Sequence, residues 1–304
     1  MSMTRLELFC NLGYKTDPLS TAWIETGDQA RIRRILVMGV ESRAMISIVG
    51  PPGIGKSETV EKTLAGIGAT IVTVEKADKS RVSIGDIEVA MILDLSDEKP
   101  LGGEKQGRQL RPILGAATTG RKKVVLVLEE AQRLHAATLK SLKTLREKRW
   151  MGEKELFTVV LISQSDPMAR PGLSEVRLRT DCVHMRGLSA TEAGNYIRGT
   201  VGKHFEESAI DALAELPAAS NFLELQELLV TVLIHVKSAN RDMVTAEDVL
   251  EIAAEKQMVA PSPNTPAKAP KAPTAPKSGQ SALKEVLLSR TGGAAQADRE
   301  AINA

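Results

Sequence analysis

The sequence predicts a parallel α/β sheet domain followed by an all-helical domain, and three features carry that prediction. Four apolar runs, MISIVG (45–50), ATIVTVEK (69–76), KKVVLVLEE (122–130) and LFTVVLISQ (156–164), alternate with helix-like segments. Near-continuous apolar strands fit a parallel sheet covered on both faces, and their alternation with helices is the mark of an α/β layer. The first run ends in a glycine-rich loop and the third in two adjacent carboxylates, so polar chemistry gathers at strand ends. From residue 188 onward the pattern is helical throughout.

Taken in order, residues 1–20 form an N-terminal extension, 21–187 the sheet domain and 188–258 the helical domain. A length of 304 residues suits about two domains. In SIGDIEVAMILDL, Ile84, Ile87, Met91 and Leu95 recur at helical spacing behind Ser83, a candidate cap. LSATEAGNYIRG and VTAEDVLEIAAEK begin with Ser189–Glu192 and Thr245–Asp248, the spacing of a capping box. A Pro/Ala/Lys-rich stretch at 259–280 has too few apolar side chains to fold and is expected to be a disordered linker. Residues 281–304 are expected to be a mobile tail in which SALKEVLLSR is a candidate short helix.

Composition sets limits. Apolar residues make up 42% of the chain, enough for a sizeable core, and 40 Lys and Arg against 38 Asp and Glu leave a net charge of +2. That balance neither demands nor excludes a polyanionic partner, so any basic surface must be argued locally. Cys10 and Cys182 are far apart, and His135, His184, His204 and His235 are scattered, so no metal or redox spacing is present. No run approaches membrane-spanning length and no secretory h-region opens the chain, which leads us to expect a soluble cytoplasmic protein without a membrane partner.

The loop GPPGIGKS satisfies G-x-x-x-x-G-K-[ST] between a predicted strand and a predicted helix. Glycines let the backbone wrap closely around phosphate oxygens, and the helix N-terminus adds partial positive charge. The candidate nucleotide-binding set is Gly50, Pro51, Pro52, Gly53, Ile54, Gly55, Lys56, Ser57 and Glu58. Lys56 is expected to reach the β- and γ-phosphates of ATP and Ser57 to ligate Mg²⁺. Glu129 and Glu130 end the next motif, VVLVLEEAQRL; Glu129 is expected to assist the metal and Glu130 to polarise water. In LFTVVLISQSDP the strand ends in Ser163 and Gln164, candidates to orient that water or touch the γ-phosphate. Arg177 and Arg179, in LSEVRLRTD, are expected just past the last core strand, where either could reach a neighbouring subunit's γ-phosphate.

In this order, phosphate loop, strand-end acids, polar strand end, arginine and helical lid resemble an AAA+ ATPase, a P-loop NTPase with a three-layer core and a small helical lid. The likeness runs from about residue 20 to 258. WIETGDQARIRRIL, GPPGIGKSETV and VLEEAQRL are similar to phage Mu transposition protein B and its relatives. LISQSDP and RLRTDCVHMRGLSATEAGNYI are also similar to ExeA-type ATPases. This chain departs from the family pattern in having Glu129 where Asp is usual, and AASNFLELQELL, without an arginine, where the lid usually carries one.

The resemblance implies an ATP-dependent, largely sequence-independent DNA-binding regulator of transposition, phage-encoded and acting in the host cytoplasm. It would assemble on double-stranded DNA as a homo-oligomer or helical filament, hand the DNA to a transposase, and use slow, DNA-stimulated hydrolysis for release. Candidate DNA contacts are Lys105, Arg108 and Arg111, with Lys140, Lys143, Arg146 and Arg149 from the following helix. With aromatics at 3%, base stacking is scarce and recognition should run through phosphates. The alternative is an AAA+ ATPase acting on a protein assembly, as a secretion factor of the ExeA type or a helicase loader.

Overall fold

The computed structural model describes residues 3–255; the linker expected at 259–280 and the tail at 281–304 lie outside the described residues. Two short helices open the chain, α1 (Arg5–Asn11) and α2 (Pro18–Thr21). In α3 (Gly27–Glu41) a capping box joins Thr26 to Gln29, each satisfying the other's backbone N–H. Then come β1 (Met45–Val49), α4 (Lys56–Gly66), β2 (Thr70–Thr73), α5 (Ile84–Leu95) and α6 (Glu104–Thr119). The sheet layer is completed by β3 (Val124–Leu128), α7 (Ala136–Arg146), β4 (Thr158–Ser163), the one-turn α8 (Ser174–Arg177) and β5 (Thr180–His184). The helical region consists of α9 (Ala190–Thr200), α10 (Glu207–Ala214), α11 (Phe222–Ser238) and α12 (Ala246–Glu255). Ser83 caps α5 and Ser189 caps α9, each reciprocated by the acid three residues on, as the spacing predicts.

All five strands are parallel, in the order β2-β3-β4-β1-β5. Every residue of β1, β3 and β4 is buried, which explains their unbroken apolar character. One face packs against α5, α6 and α7 through Ile87, Met91, Leu114 and Leu142; the other packs against α3 and α4 through Ile32, Leu36, Val60 and Leu64. No helix among the described residues is long and apolar enough to cross a membrane.

The fifth strand corrects the sequence reading. Arg177 and Arg179 do not follow the last strand; they stand between β4 and β5, at the end of α8 and in the turn after it. Their strand, TDCVH, is an edge strand in which only Val183 is fully buried, so it lacks the apolar run that marked the other four.

The helical region has its own core, built from Tyr196, Ile197, Leu213, Leu228, Leu229 and Ile252 among others. Leu8, Phe9 and Leu19, from the segment read as an extension, are buried in that same cluster. The Tyr196 hydroxyl and Gln226 Nε2 both donate to the Leu19 carbonyl, at 2.9 and 3.0 Å. Arg5 pairs with Asp17 at 2.7 Å across the turn between α1 and α2.

At the start of α12, Asp248 is buried and accepts from Arg241 at 2.5 and 3.1 Å and from the Thr245 N–H and hydroxyl. Arg241 and then, against the cost of burial, Thr245 hold its carboxyl down at about 2, from an ordinary 3.8. An acid with a depressed native pKa stabilises the fold above its unfolded value and loses that contribution as pH falls through the native value. Asp248→Asn should therefore melt below wild type at neutral pH, and the gap should close between pH 3.8 and about 2. Thermal melts followed by circular dichroism across that range check this; a gap independent of pH would contradict it.

Candidate nucleotide site

Strand register decides which side chains can meet. Val49, the last residue of β1, is paired with Ser163 of β4 on one side and His184 of β5 on the other. Leu128, the last residue of β3, is paired with Leu161, two residues before the end of β4, and Glu129 and Glu130 follow it directly. The glycine-rich loop, the paired acids and the polar end of β4 thus leave the sheet at one edge. They share a cleft of about 420 Å³ lined by Gly53, Gly55, Lys56, Ser57, Glu129, Glu130, Ser163 and Gln164.

The loop turns through two left-handed glycines, Gly53 at φ 83° and Gly55 at φ 84°. A Cβ on Gly53 would also stand 2.5 Å from Asn221 Oδ1, so this position excludes side chains twice over. Ile54 plugs the loop into the core beneath α4, while Pro51 and Pro52 stay exposed. Gly55 starts α4 and supplies no side-chain cap, leaving the first N–H groups of that helix for an anion. Lys56 is buried, and its Nζ donates to the carbonyls of Gly50 (2.8 Å) and Pro51 (2.7 Å). Burial lowers the pKa of its ammonium, and the charge of Glu130 opposes that. Glu58 lines the cleft but is paired with Lys62 at 2.9 Å, one helical turn on.

Ser57 and Glu129 are both exposed and both line the cleft, so a hydroxyl and a carboxylate oxygen are available to a hard cation such as Mg²⁺. Glu130 has a left-handed backbone, φ 52°, and its carboxylate lies 3.4–3.5 Å from Gln164 Nε2. Ser163 Oγ is buried at the cleft wall without a hydrogen-bond partner among the described residues.

Two segments outside the sheet close the cleft. Leu19, Ala22, Trp23 and Ile24 come from the N-terminal segment, and Phe222, Leu223 and Gln226 from the first turns of α11. Asn221 joins this helical region to the loop: its Oδ1 accepts from the N–H groups of Leu223 and Glu224, capping α11, while its Nδ2 donates to the Pro52 carbonyl at 2.7 Å. Asn221 was not singled out from the sequence, although an Asn before an apolar helical run is a legible cap signal. The start of α11 thus reaches the loop through an amide.

The two arginines do not line the cleft and differ from each other. Arg179 Nη1 binds Glu147 at 2.6 Å, and Nη2 lies 3.9 Å from Glu175. Arg177 is exposed and makes no ion pair among the described residues.

The basic residues predicted to form one surface are divided by the structure. Arg146 is a correction: it is only 6% exposed, with Nη2 donating to the Arg43 carbonyl at 2.5 Å and facing Glu155 at 3.3 Å. Its place on α7 turns it toward the core beside Leu142 and Leu145. Lys143 is half-buried and tied to Glu175, with Glu147 a second partner at 3.9 Å, so it is not free for a phosphate either. Lys140 is exposed. Lys105, Arg108 and Arg111 are exposed at three-residue spacing on α6 and make no ion pair among the described residues. Arg111 Nε donates to the Arg149 carbonyl at 2.6 Å and Lys148 Nζ to the Gly107 carbonyl at 3.0 Å, bringing exposed Arg149 beside that row.

Comparisons agree with this architecture. Residues 40–167 match the family model described as an AAA domain. Among solved structures, Cdc6p from Pyrobaculum aerophilum superposes with a TM-score of 0.57 at 13% identity, covering 78% of this chain and 70% of its own. The ORC2 protein of Aeropyrum pernix, in ADPNP and ADP complexes, gives 0.54 at 14% identity over 79% and 71%. A RuvB variant from Thermotoga maritima gives 0.50 at 16% over 81% and 75%. A search of curated proteins gives no match. The fold is that of the P-loop AAA+ NTPases.

Replacing Asn221 separates its two roles. Asn221→Ala should cost about 1 kcal/mol of stability as a lost helix cap, and should weaken nucleotide binding as well. Asn221→Asp keeps the cap acceptor but not the donor to Pro52, so it should restore the melting temperature without restoring affinity. Calorimetric titration with ATP beside thermal melts checks this; equal recovery of both in Asn221→Asp would contradict it.

Proposed function

We propose that this protein is an ATPase that binds double-stranded DNA of arbitrary sequence as an ATP-dependent multimer, regulating transposition by presenting that DNA to a transposase. ATP is the nucleotide proposed, as in the adenine-nucleotide complexes of the ORC2 protein that shares the fold. The uncapped start of α4 and the Lys56 ammonium would bind its phosphates, and Lys56 would give up two loop carbonyls to do so. Ser57 and Glu129 would hold Mg²⁺, which when bound neutralises charge between the phosphates. Glu130 would take a proton from the attacking water, with Gln164 beside it. Of the two arginines, Arg177 is the one available to a neighbouring subunit's phosphate, because Arg179 is held by Glu147.

The observation that carries the DNA reading is the row Lys105, Arg108 and Arg111, exposed and without an ion pair among the described residues, with Arg149 alongside. A few such contacts per subunit bind weakly at physiological salt, whereas subunits aligned along one duplex act together. Hydrolysis would loosen the subunit interface and release the DNA.

An electrophoretic shift on long duplex DNA tests this reading. Binding should be much tighter with ATP than with ADP, should fall steeply with salt, and should drop for all sequences alike in Lys105→Glu/Arg108→Glu. If ATP leaves DNA affinity unchanged, the reading fails and an AAA+ ATPase acting on a protein assembly, of the secretion or helicase-loader kind, replaces it. The arginine assignment has its own test. Arg177→Ala should abolish DNA-stimulated hydrolysis and regain it when mixed with Lys56→Ala subunits, while Arg179→Ala should keep most activity. The reverse pattern would exchange the two residues.

A further inference from the structure

We infer that Gln132 is a positioning residue for hydrolysis, holding the Glu130 carboxylate in register with the end of β4. The inference rests on the ATPase reading of the cleft. Gln132 follows the two acids by a short helical turn, Ala131–Arg133, and its carboxamide is used at both ends. Nε2 donates to Glu130 Oε2 at 2.7 Å, and Oε1 accepts the backbone N–H of Gln164 at 3.1 Å. A backbone N–H can only donate, so the amide's oxygen must face Gln164 and its NH₂ must face the carboxylate. One side chain therefore spans from the end of β3 to the end of β4.

The strength of each contact decides which one fixes Glu130. Gln164 Nε2 approaches the carboxylate only at 3.4 and 3.5 Å, the outer limit of a hydrogen bond. The 2.7 Å charge-assisted bond from Gln132 is the firmer of the two. It occupies Oε2 and leaves Oε1 with the long Gln164 contact alone, so one oxygen remains to take a proton from water. The turn that carries Gln132 is itself anchored. Ala131 is fully buried, and Arg170 donates to the carbonyls of Leu134 at 2.7 Å and Ala131 at 3.3 Å. Glu130 sits in a left-handed backbone conformation that a non-glycine residue adopts at some cost, and the anchored turn maintains it. A shift at Gln164, as on meeting a γ-phosphate, would pass through the Gln132 amide to the base.

The experiment measures ATP affinity, by calorimetry, and kcat and KM for hydrolysis in the full chain, its Gln132→Ala and Gln132→Glu variants, and each of these in a Glu130→Gln background. Gln132→Ala should lower kcat about tenfold, part of the roughly 10²- to 10⁴-fold that a positioned base supplies, with ATP affinity within about twofold of wild type. Gln132→Glu keeps the acceptor for Gln164 but loses the donor to Glu130, so it should fall at least as far. Neither change should lower the residual rate of Glu130→Gln further, because the base is already gone. Unchanged kcat in Gln132→Ala, an equal loss in the Glu130→Gln background, or a parallel loss of ATP affinity would overturn the positioning role. A wild-type chain that binds no ATP, or hydrolyses none, would instead overturn the ATPase reading on which it rests.

Discussion

Everything proposed for this protein depends on the register in which β1, β3 and β4 pair. Parallel strands all end on one side of the sheet, and here the pairing of Val49 with Ser163 and Leu128 with Leu161 brings three polar strand ends level. Each strand is buried along its whole length and cannot slide without exposing apolar surface or breaking ladder bonds. The site is thus set out by core packing before any ligand arrives. Slipping β3 by one residue would carry both Glu129 and Glu130 out of step with the end of β4.

Around that edge, the loop is held from two directions. Beneath it, Ile54 is locked into the core, and above it Asn221 bonds Pro52. The second contact ties the glycine-rich loop to the start of α11, so a change in loop shape would be felt at that helix N-terminus. The N-terminal segment shares in this, because Leu19 both lines the cleft and takes hydrogen bonds from Tyr196 and Gln226 of the helical region. Cleft, helical region and N-terminal segment are thus joined by direct hydrogen bonds, and the proposed nucleotide would sit where they meet.

Much of this was legible in the sequence. The glycine-lysine-serine spacing, the apolar strands and the Ser83 and Ser189 caps depend on local chemistry, which a sequence displays directly. What escaped was set by tertiary context. The edge strand Thr180–His184 has too little burial to show a pattern. The basic stripe on α7 gave Lys143 and Arg146 equal standing with Lys140, because charge alone does not report that Glu175 holds one and the core edge encloses the other. Gln132 and Asn221 looked like ordinary polar residues, and their roles appear only when residues 32 and 169 positions away are brought beside them.

The central claim is that the cleft at this sheet edge binds ATP, and Trp23 allows a direct measurement. Of the two tryptophans, Trp23 lines the cleft with Lys62 stacked 3.5 Å from its ring centroid, whereas Trp150 packs over Gly115 and is not a cleft residue. Titrating the protein with ATP and Mg²⁺ should give a saturable change in tryptophan fluorescence that is absent in Trp23→Phe and lost in Lys56→Ala. No saturable change in the wild type, or one that survives intact in Lys56→Ala, would contradict the account.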